Sequence, residues 1–573
     1  MLKNIAIIGG GPSALFMFQR FVQAGNASIT IDIFERSHRL GAGMPYSTEG
    51  ALNEHITNVS GNEIPELVSS VSDWIKTVPK EVLDQFDINL DNFSAYQVLP
   101  RLLFGDYLEN QFNLLIKKAQ KIGIETNVFF NSEVTDIKDF PKEDKVQVDV
   151  TGKFKGYYEH VIICTGHTWP KTFEGKVDSY FDSPYPPEKL KGTFNHAIAI
   201  KGSSLTAIDA IRTLARQHGK FSANKNNIPK YQLDKDCAEF KMVMHSRHGM
   251  LPAVRFHLAD PHLLKETVLS RDEVAKNMQE NDGFLLLDFV FDKNFKELFK
   301  EKDPAFYASV KNLSIEQFVD QAMELRERLD PFQLFEAEYA EADKSIKRRE
   351  SVYWKELLAV LSFAMNYPAK HFSAEDMIRL QRTLMPLISI VIAFVPQCSV
   401  EELLALNKAG VLQMVAVDEA GTETPHPNCG AVYHYKNENN EQVAKHFKTF
   451  INCVGQPHLN YKDFPFKSLL LDKTISPAKL KFKNINNADS WPNDDVKVVR
   501  KSINGTYLNV PGIAINDNFQ ALDEFGALNP RVYVMAVPYI SGFNPDYSGL
   551  DFGEAASKII ARSLCLSDKN IDV

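Results

Sequence analysis

Short, unbroken apolar runs alternate along this chain with longer stretches of helical period. Ile5, Ala6, Ile7 and Ile8 form such a run, which ends at Gly9, and a helical pattern begins at Leu15. A run of this kind reads as a strand covered on both faces, and a helix close behind it predicts a strand–turn–helix unit of a parallel sheet. Ser28–Phe34 then alternates as a strand. Further strands are expected at Glu125–Phe130, Val134–Ile137, Val146–Val150, Lys155–His160 and Val161–Cys164, the last ending in Thr165-Gly166. The opening pattern recurs where Ala197–Ile200 runs into Gly202 and a helix continues from Leu205 through Arg216. Its partner strand is expected at Phe240–His245, after a polar insertion over Asn224–Lys235.

The region 256–395 changes character. Phe318–Leu329 and Trp354–Phe363 place apolar residues at i, i+3/i+4, which predicts helices. Val411–Val417, Gly430–His434 and Phe447–Val454 read as an antiparallel excursion that returns the chain. Arg531–Ala536 reads as a buried strand, and Ser548-Gly549-Leu550 opens a helix to about Leu564. The expected fold class is α/β, two Rossmann-like units with a helical insertion. The expected divisions are 1–190 and 446–573 for the first unit, 191–255 and 396–445 for the second, and 256–395 for the insertion.

The turns carry the chemistry. Gly9, Gly11 and Ala14 stand in the spacing GxGxxG/A, between a strand and a helix, where that spacing forms a dinucleotide-binding turn. Gly9 allows the turn, Gly11 lets the backbone approach a pyrophosphate, and Ala14 lets the helix pack on the strand. The helix N-terminus offers free N–H groups to phosphate. Glu35, at the end of the second strand, can accept both ribose hydroxyls of an adenosine and would repel a 2′-phosphate, which disfavours NADP here. FAD and NAD remain, and the long path to the third strand selects FAD. The second turn, Gly202-Ser203-Ser204-Leu205-Thr206-Ala207, has Ser204 where a glycine would allow the closest approach. Its partner strand ends in Ser246-Arg247-His248-Gly249 with no acid. A guanidinium there can pair with a 2′-phosphate, so the second site is read as one for NADPH.

Composition narrows the picture. The chain has 573 residues, 44% hydrophobic and 24% charged, with a net charge of −9. That provides no basic field for nucleic acid or an anionic membrane. The longest apolar run, Leu384–Val395, contains Pro386 and is too short to span a bilayer. Glycines and a proline interrupt Lys3–Phe18, so a dinucleotide-binding turn is expected there in preference to a signal peptide. Cys164, Cys237, Cys398, Cys429, Cys453 and Cys565 include no CxxC pair, which points to a reducing, cytoplasmic setting and removes the dithiol of a disulfide reductase. His426, Cys429 and His434 match no standard ligand spacing, so no metal is expected.

The strand–meander–strand course ending at Thr165-Gly166 resembles the FAD domain of glutathione-reductase-type flavoproteins. Gly9–Ala14, Gly41–Tyr46 with Leu52-Asn53, Arg101–Leu108, Thr165–Pro170 and Gly202–Asp209 resemble bacterial FAD/NAD(P)-binding proteins related to the flavin-dependent N-hydroxylating monooxygenases. The resemblance covers the two nucleotide-binding units and does not extend to the helical insertion. It implies FAD held through Gly9, Gly11, Pro12, Ser13, Ala14, Glu35, Arg36, Gly43, Arg101, Val134, Thr165 and Gly166, with Gly549 and Leu550 of the last helix. It implies NADPH at Gly202, Ser203, Ser204, Thr206 and Arg247. The implied activity is oxygenation of a small amine or amino acid with molecular oxygen through a C4a-hydroperoxyflavin, with Asn53, His167 and Arg255 as catalytic candidates. An NAD(P)H:acceptor flavin reductase and a non-catalytic flavin-bound redox sensor are the alternatives. The insertion suits a substrate lid, a structural part or an oligomer contact, and a homo-oligomer stays open.

Overall fold

The computed structural model describes residues 3–223, 229–247, 249–258, 268–366, 368–418, 420–437, 439–484, 498–501, 505–545 and 549–564. Part of the expected polar insertion, His248, Ser548 and Cys565 lie outside them. Two sheets organise the chain. The first has six strands in the order Gln520–Leu522, Leu528–Val534, His160–Ile163, Lys3–Ile8, Ile29–Phe34 and Glu125–Phe129. Its inner strands are parallel, with Ile7 opposite both Ile33 and Ile162. Ile5–Ile8 is buried throughout, as an unbroken apolar run requires when helices cover both faces. The second sheet has five parallel strands, in the order Tyr180–Phe181, Thr449–Asn452, Ala197–Lys201, Lys241–Arg247 and Leu412–Val417. Three-stranded antiparallel meanders stand beside each: Val134–Phe140, Lys145–Val150 and Lys153–Tyr158, then Thr422–Pro425, Ala431–Lys436 and Gln442–Phe447.

Two strands correct the reading from sequence. Thr449–Asn452, within the expected Phe447–Val454 strand, runs parallel to Ala197–Lys201 and is not part of the antiparallel excursion. Nor is Leu412–Val417, which runs parallel to Lys241–Arg247 within the second sheet. The helix Gln397–Lys408 immediately before it supplies the crossover that a parallel strand needs. The long stretch after Tyr46 also holds a strand pair, Ile56–Ser60 with Val98–Pro100, that periodicity does not reveal.

The insertion is a helical layer whose starts are written in its sequence. Ser270 with Glu273 and Ser314 with Gln317 form capping boxes. Asp303 and Asp330 cap helices that begin with proline. Each such cap contributes about 1 kcal/mol. Glu338 accepts from Arg326 (2.7 Å) and Lys355 (2.9 Å), all three buried, and ties together the helices Ile315–Glu327, Pro331–Arg348 and Tyr353–Met365. Leu384–Val395 is largely buried in this layer. The insertion packs into the cores of both sheets: Leu357, Leu361 and Leu387 join the first, Phe335, Ala359 and Phe394 the second.

Candidate cofactor site

The two glycine turns have the same geometry. Gly9 has φ +97° and Gly202 φ +107°, a backbone region that L side chains rarely adopt. A Cβ on Gly9 would lie 2.8 Å from the Cys164 carbonyl oxygen, and one on Gly202 the same 2.8 Å from that of Cys453. The ladder bonds match as well. Gly9 N donates to Phe34 O and Gly202 N to His245 O, both at 2.8 Å. Gly11 and Ser204 each stand at a helix N-cap with extended backbone, φ −78° and −88°. Serine is therefore unstrained at this place, and the difference between the two turns lies in the Cβ and hydroxyl that Ser204 adds.

A cavity of about 710 Å³ opens at the first turn. Gly9, Gly11, Pro12, Ser13, Glu35, Arg36, Gly43, Val134, Thr165, Gly166, His167, Gly549 and Leu550 all line it. Ala14 does not; it is fully buried under the Pro12–Ala24 helix. Glu35 is buried, with Oε2 accepting from Gly10 N and Oε1 from Ser37 N, both at 2.7 Å. These bonds fix the carboxyl group at the strand end and leave it lone pairs for ribose. Two observations test the fit of a dinucleotide. The Thr165 hydroxyl is buried without a partner at the cavity wall. A Cβ on Gly11 would touch only the Gly43 backbone, its Cα at 3.4 Å and its N at 3.9 Å, so the bare turn admits a close approach. The N-terminus of Gly549–Ser563 also ends at this cavity, as a partial positive charge. The residues present fit a flavin dinucleotide.

His167 bridges the two units. Its Nδ1 lies 3.0 Å from Gln456 Oε1, which also accepts from Thr168 N at 3.0 Å, while Gln456 Nε2 donates to Thr168 O at 2.8 Å. Those backbone bonds set the amide orientation, so His167 Nδ1 donates and Nε2 is left as an acceptor. Burial pushes the imidazole below its usual pKa, against the Gln456 bond, which keeps it neutral at physiological pH. Trp169 Nε1 donates to Gly455 O at 2.9 Å. The turns leaving the two sheets are thus cross-bonded.

Three expected residues are held elsewhere. Arg101 does not line the cavity; its guanidinium pairs with Asp209 at 2.6 Å and donates to Ile56 O at 3.0 Å, because the strand pair after Tyr46 turns it toward the second unit. Asn53 lines a different cavity, beside Glu54 and Arg212. Arg255 is buried between Asn58 O, the Ser60 hydroxyl (2.9 Å) and Glu63, which occupy its donors. At the second turn, Ser203 Oγ donates to Met250 O at 2.7 Å. Ser204 is exposed, and Arg247 is exposed at the end of Lys241–Arg247. Lys201 and His245 are opposite each other, so the Gly202 turn and Arg247 leave the same sheet edge from neighbouring strands.

The sequence reading offered the insertion as a substrate lid but named none of its residues at the cavity. Leu258, Ala359, Phe363, Ile392 and Phe394 line the cavity with Phe466, Val537 and Tyr539. Ala359 and Phe363 stand one helical turn apart, a spacing that by itself signals only a core-facing side. Cys164, Cys237, Cys398, Cys429 and Cys453 are free thiols. Among the described residues no His/Cys/Asp/Glu group could hold a metal, and no helix is long and apolar enough to cross a membrane.

Two sheets of this kind, each with a glycine turn at its carboxyl edge, define a two-dinucleotide α/β protein, and comparison with known proteins agrees. Residues 6–168 match the family described as FAD-NAD(P)-binding, and residues 270–392 the family described as YdhS-like middle domain. The chain is similar to the uncharacterized protein YdhS of Escherichia coli strain K12, 26% identical over 489 residues, 82% of this chain and 86% of that protein. A shorter stretch is similar to trimethylamine monooxygenase of Roseovarius sp. strain 217, 27% identical over 206 residues, 34% of this chain and 41% of that enzyme. Among solved structures, an ornithine N-hydroxylase of Kutzneria sp. 744 aligns with a TM-score of 0.45 at 13% identity, covering 98% of this chain and 99% of that one.

Proposed function

We propose that this protein is an FAD-containing, NADPH-dependent monooxygenase that oxygenates a small amine. The observation that carries the reading is the pair of superposable glycine turns on two sheets whose exits are joined through Gln456. That arrangement suits one dinucleotide delivering a hydride to another. The similarity to a trimethylamine monooxygenase supports oxygen transfer over simple electron transfer, and the scattered cysteines supply no dithiol for a disulfide reductase. Bound flavin supplies the oxygen activation; NADPH, a proton, O2 and substrate would yield NADP⁺, water and the oxygenated product.

The chain's own residues take defined parts. Gly9, Gly11, Pro12, Ser13 and Gly43 would cradle the pyrophosphate. Glu35 would accept from the ribose, and Thr165 would donate its free hydroxyl to the flavin. Neutral His167 would offer Nε2 as an acceptor at the cavity wall, which makes it the one catalytic candidate of the three that stands there. The apolar side chains of the insertion would exclude water from the reacting end. The proposed divisions stay those of the sequence reading, except that the Tyr180–Phe181 and Thr449–Asn452 strands join the second unit.

Arg247 provides the test of the second site. Flavin reduction by NADPH should be much faster than by NADH at equal low concentration. Arg247→Ala removes a charge-assisted contact of about 1.5–3 kcal/mol, roughly ten- to over a hundredfold in NADPH affinity. NADH has no group at that place and should be unaffected. Reduction rates titrated with both nucleotides decide it: equal losses would assign Arg247 to the fold. No reduction by either nucleotide in the wild type would favour the sensor reading, with Ser204 obstructing the site.

A further inference from the structure

A cavity of about 610 Å³ lies where the parts of the chain meet. Its wall takes Glu54 and the strand pair after Tyr46 from the first unit, Arg212 and Arg216 from the Leu205–His218 helix of the second, and Ile346 from the insertion. Cys398, exposed in the first turn of the Gln397–Lys408 helix, opens on it. Glu63 and Leu258 line this cavity and the cofactor cavity alike, so the two adjoin. Phe256 and Leu258 are buried in the wall, and the half-buried Phe86 and exposed Tyr96 continue its apolar surface.

Glu54 is the group on this wall that the fold does not satisfy. Its side chain is 10% exposed, and its Oε1 accepts from the Thr213 hydroxyl at 2.7 Å. Among the described residues nothing donates to Oε2, and no cation pairs with the group. His55 Nε2 lies 3.8 Å away, but burial pushes that imidazole below its usual pKa, and its Nδ1 accepts from Leu52 N at 3.0 Å. The arginines of the wall are engaged elsewhere: Arg212 and Arg216 both pair with Glu402, at 2.8 and 2.7 Å, and Arg255 pairs with Glu63. Asp87 is exposed at the rim with no ion pair among the described residues, and Arg349 stands over the Tyr96 ring, 5.8 Å from its centroid. A carboxyl group nine-tenths buried with one oxygen unsatisfied costs stability unless something brings it donors. A ligand that does so carries N–H groups and positive charge, and the aromatic wall suits an apolar body attached to them.

We propose that this cavity binds an organic cation, a primary ammonium on an apolar body, with the ammonium donating to Glu54 and the body lying along Phe256 toward Leu258. That the cation is the amine on its way to the flavin rests on the monooxygenase reading; the binding itself does not. Hexylamine is the probe, protonated at about pH 8 as a lysine amine is. Hexanol and hexanoate carry the same body without the positive charge. Cys398 reports the position, because its thiol opens on the same cavity. Flavin-loaded protein is labelled with methyl methanethiosulfonate, a small uncharged thiol reagent, at rising probe concentration, and the Cys398 peptide is followed by mass spectrometry. Hexylamine should slow its labelling saturably, and the two controls should need at least about tenfold more for the same protection. Cys429, which does not line the cavity, should label at an unchanged rate.

Glu54→Gln keeps an oxygen for the Thr213 hydroxyl and should weaken protection by hexylamine at least about tenfold while leaving hexanol unchanged. If that variant melts well below the wild type, Asp87→Asn serves in its place. The position is exposed with φ +54°, a conformation that asparagine adopts readily, and the loss should have the same sign and be smaller. Equal protection by hexylamine and hexanol, Cys398 labelling that hexylamine does not slow, or wild-type protection in the folded variant overturns the proposal. Labelling needs no turnover, so a protein that oxygenates nothing can still pass this test. One that oxygenates amines while Cys398 stays unprotected fails it and keeps the monooxygenase reading.

Discussion

Gly11→Val should purify as a folded protein without flavin. The Gly11 backbone, φ −78° and ψ −164°, is open to any residue, and the nearest atom to an added Cβ is Gly43 Cα at 3.4 Å. The Cβ of valine there touches only the Gly43 backbone, and the side chain would fill the space through which a pyrophosphate reaches the helix N-terminus. Gly9→Val differs, because φ is +97° and the Cβ would strike the Cys164 carbonyl at 2.8 Å. That variant should lose fold and flavin together. Thermal melting by circular dichroism, with flavin absorbance of the purified protein, separates the two. We expect Gly11→Val to melt as the flavin-free wild type does, with occupancy reduced at least about tenfold. A fully yellow Gly11→Val would remove the first turn from the cofactor site.

Arg101→Ala should instead destabilise the fold and leave flavin occupancy of the folded fraction unchanged. Arg101 and Asp209 are 15% and 7% exposed in their side chains and pair at 2.6 Å across the two units. Deleting one member of a buried pair costs about 3–5 kcal/mol, because the other charge stays buried without it. Tyr185 still donates to Asp209 at 2.7 Å, which places the expected loss near the lower end. Urea unfolding measures the stability and absorbance the cofactor. Lost flavin at unchanged stability would return Arg101 to the cofactor, as the sequence reading expected.

The contrast between these residues shows what a single sequence can reveal. The turn at Gly9 and Gly11 and the strand end at Glu35 were legible as structure because such a turn needs particular residues at fixed spacing between a strand and a helix, all within one stretch of chain. The repeat at Gly202 was legible for the same reason. Arg101 was not, because its partner Asp209 is 108 residues away and nothing local distinguishes an arginine facing a phosphate from one facing a carboxylate. Arg255 follows the same rule, its partners Asn58, Ser60 and Glu63 lying 197, 195 and 192 residues away. Leu412–Val417 has the pattern of a strand in either direction, and only the Gln397–Lys408 helix before it sets the parallel course. Phe394 looks like a core residue by composition and spacing, and it is, whereas Phe363 is half-buried; that both border the cofactor cavity is a property of the assembled layers.

The proposed activity is tested most directly by the fate of molecular oxygen. Flavin-loaded protein, NADPH and a panel of small amines, incubated under ¹⁸O2 and analysed by mass spectrometry, should yield one product carrying a single labelled oxygen atom. NADPH and O2 should be consumed in equal amounts with it. NADPH oxidation that passes electrons to a quinone or ferricyanide while no product acquires label, across the whole panel, would contradict the account and make the protein an NADPH:acceptor reductase.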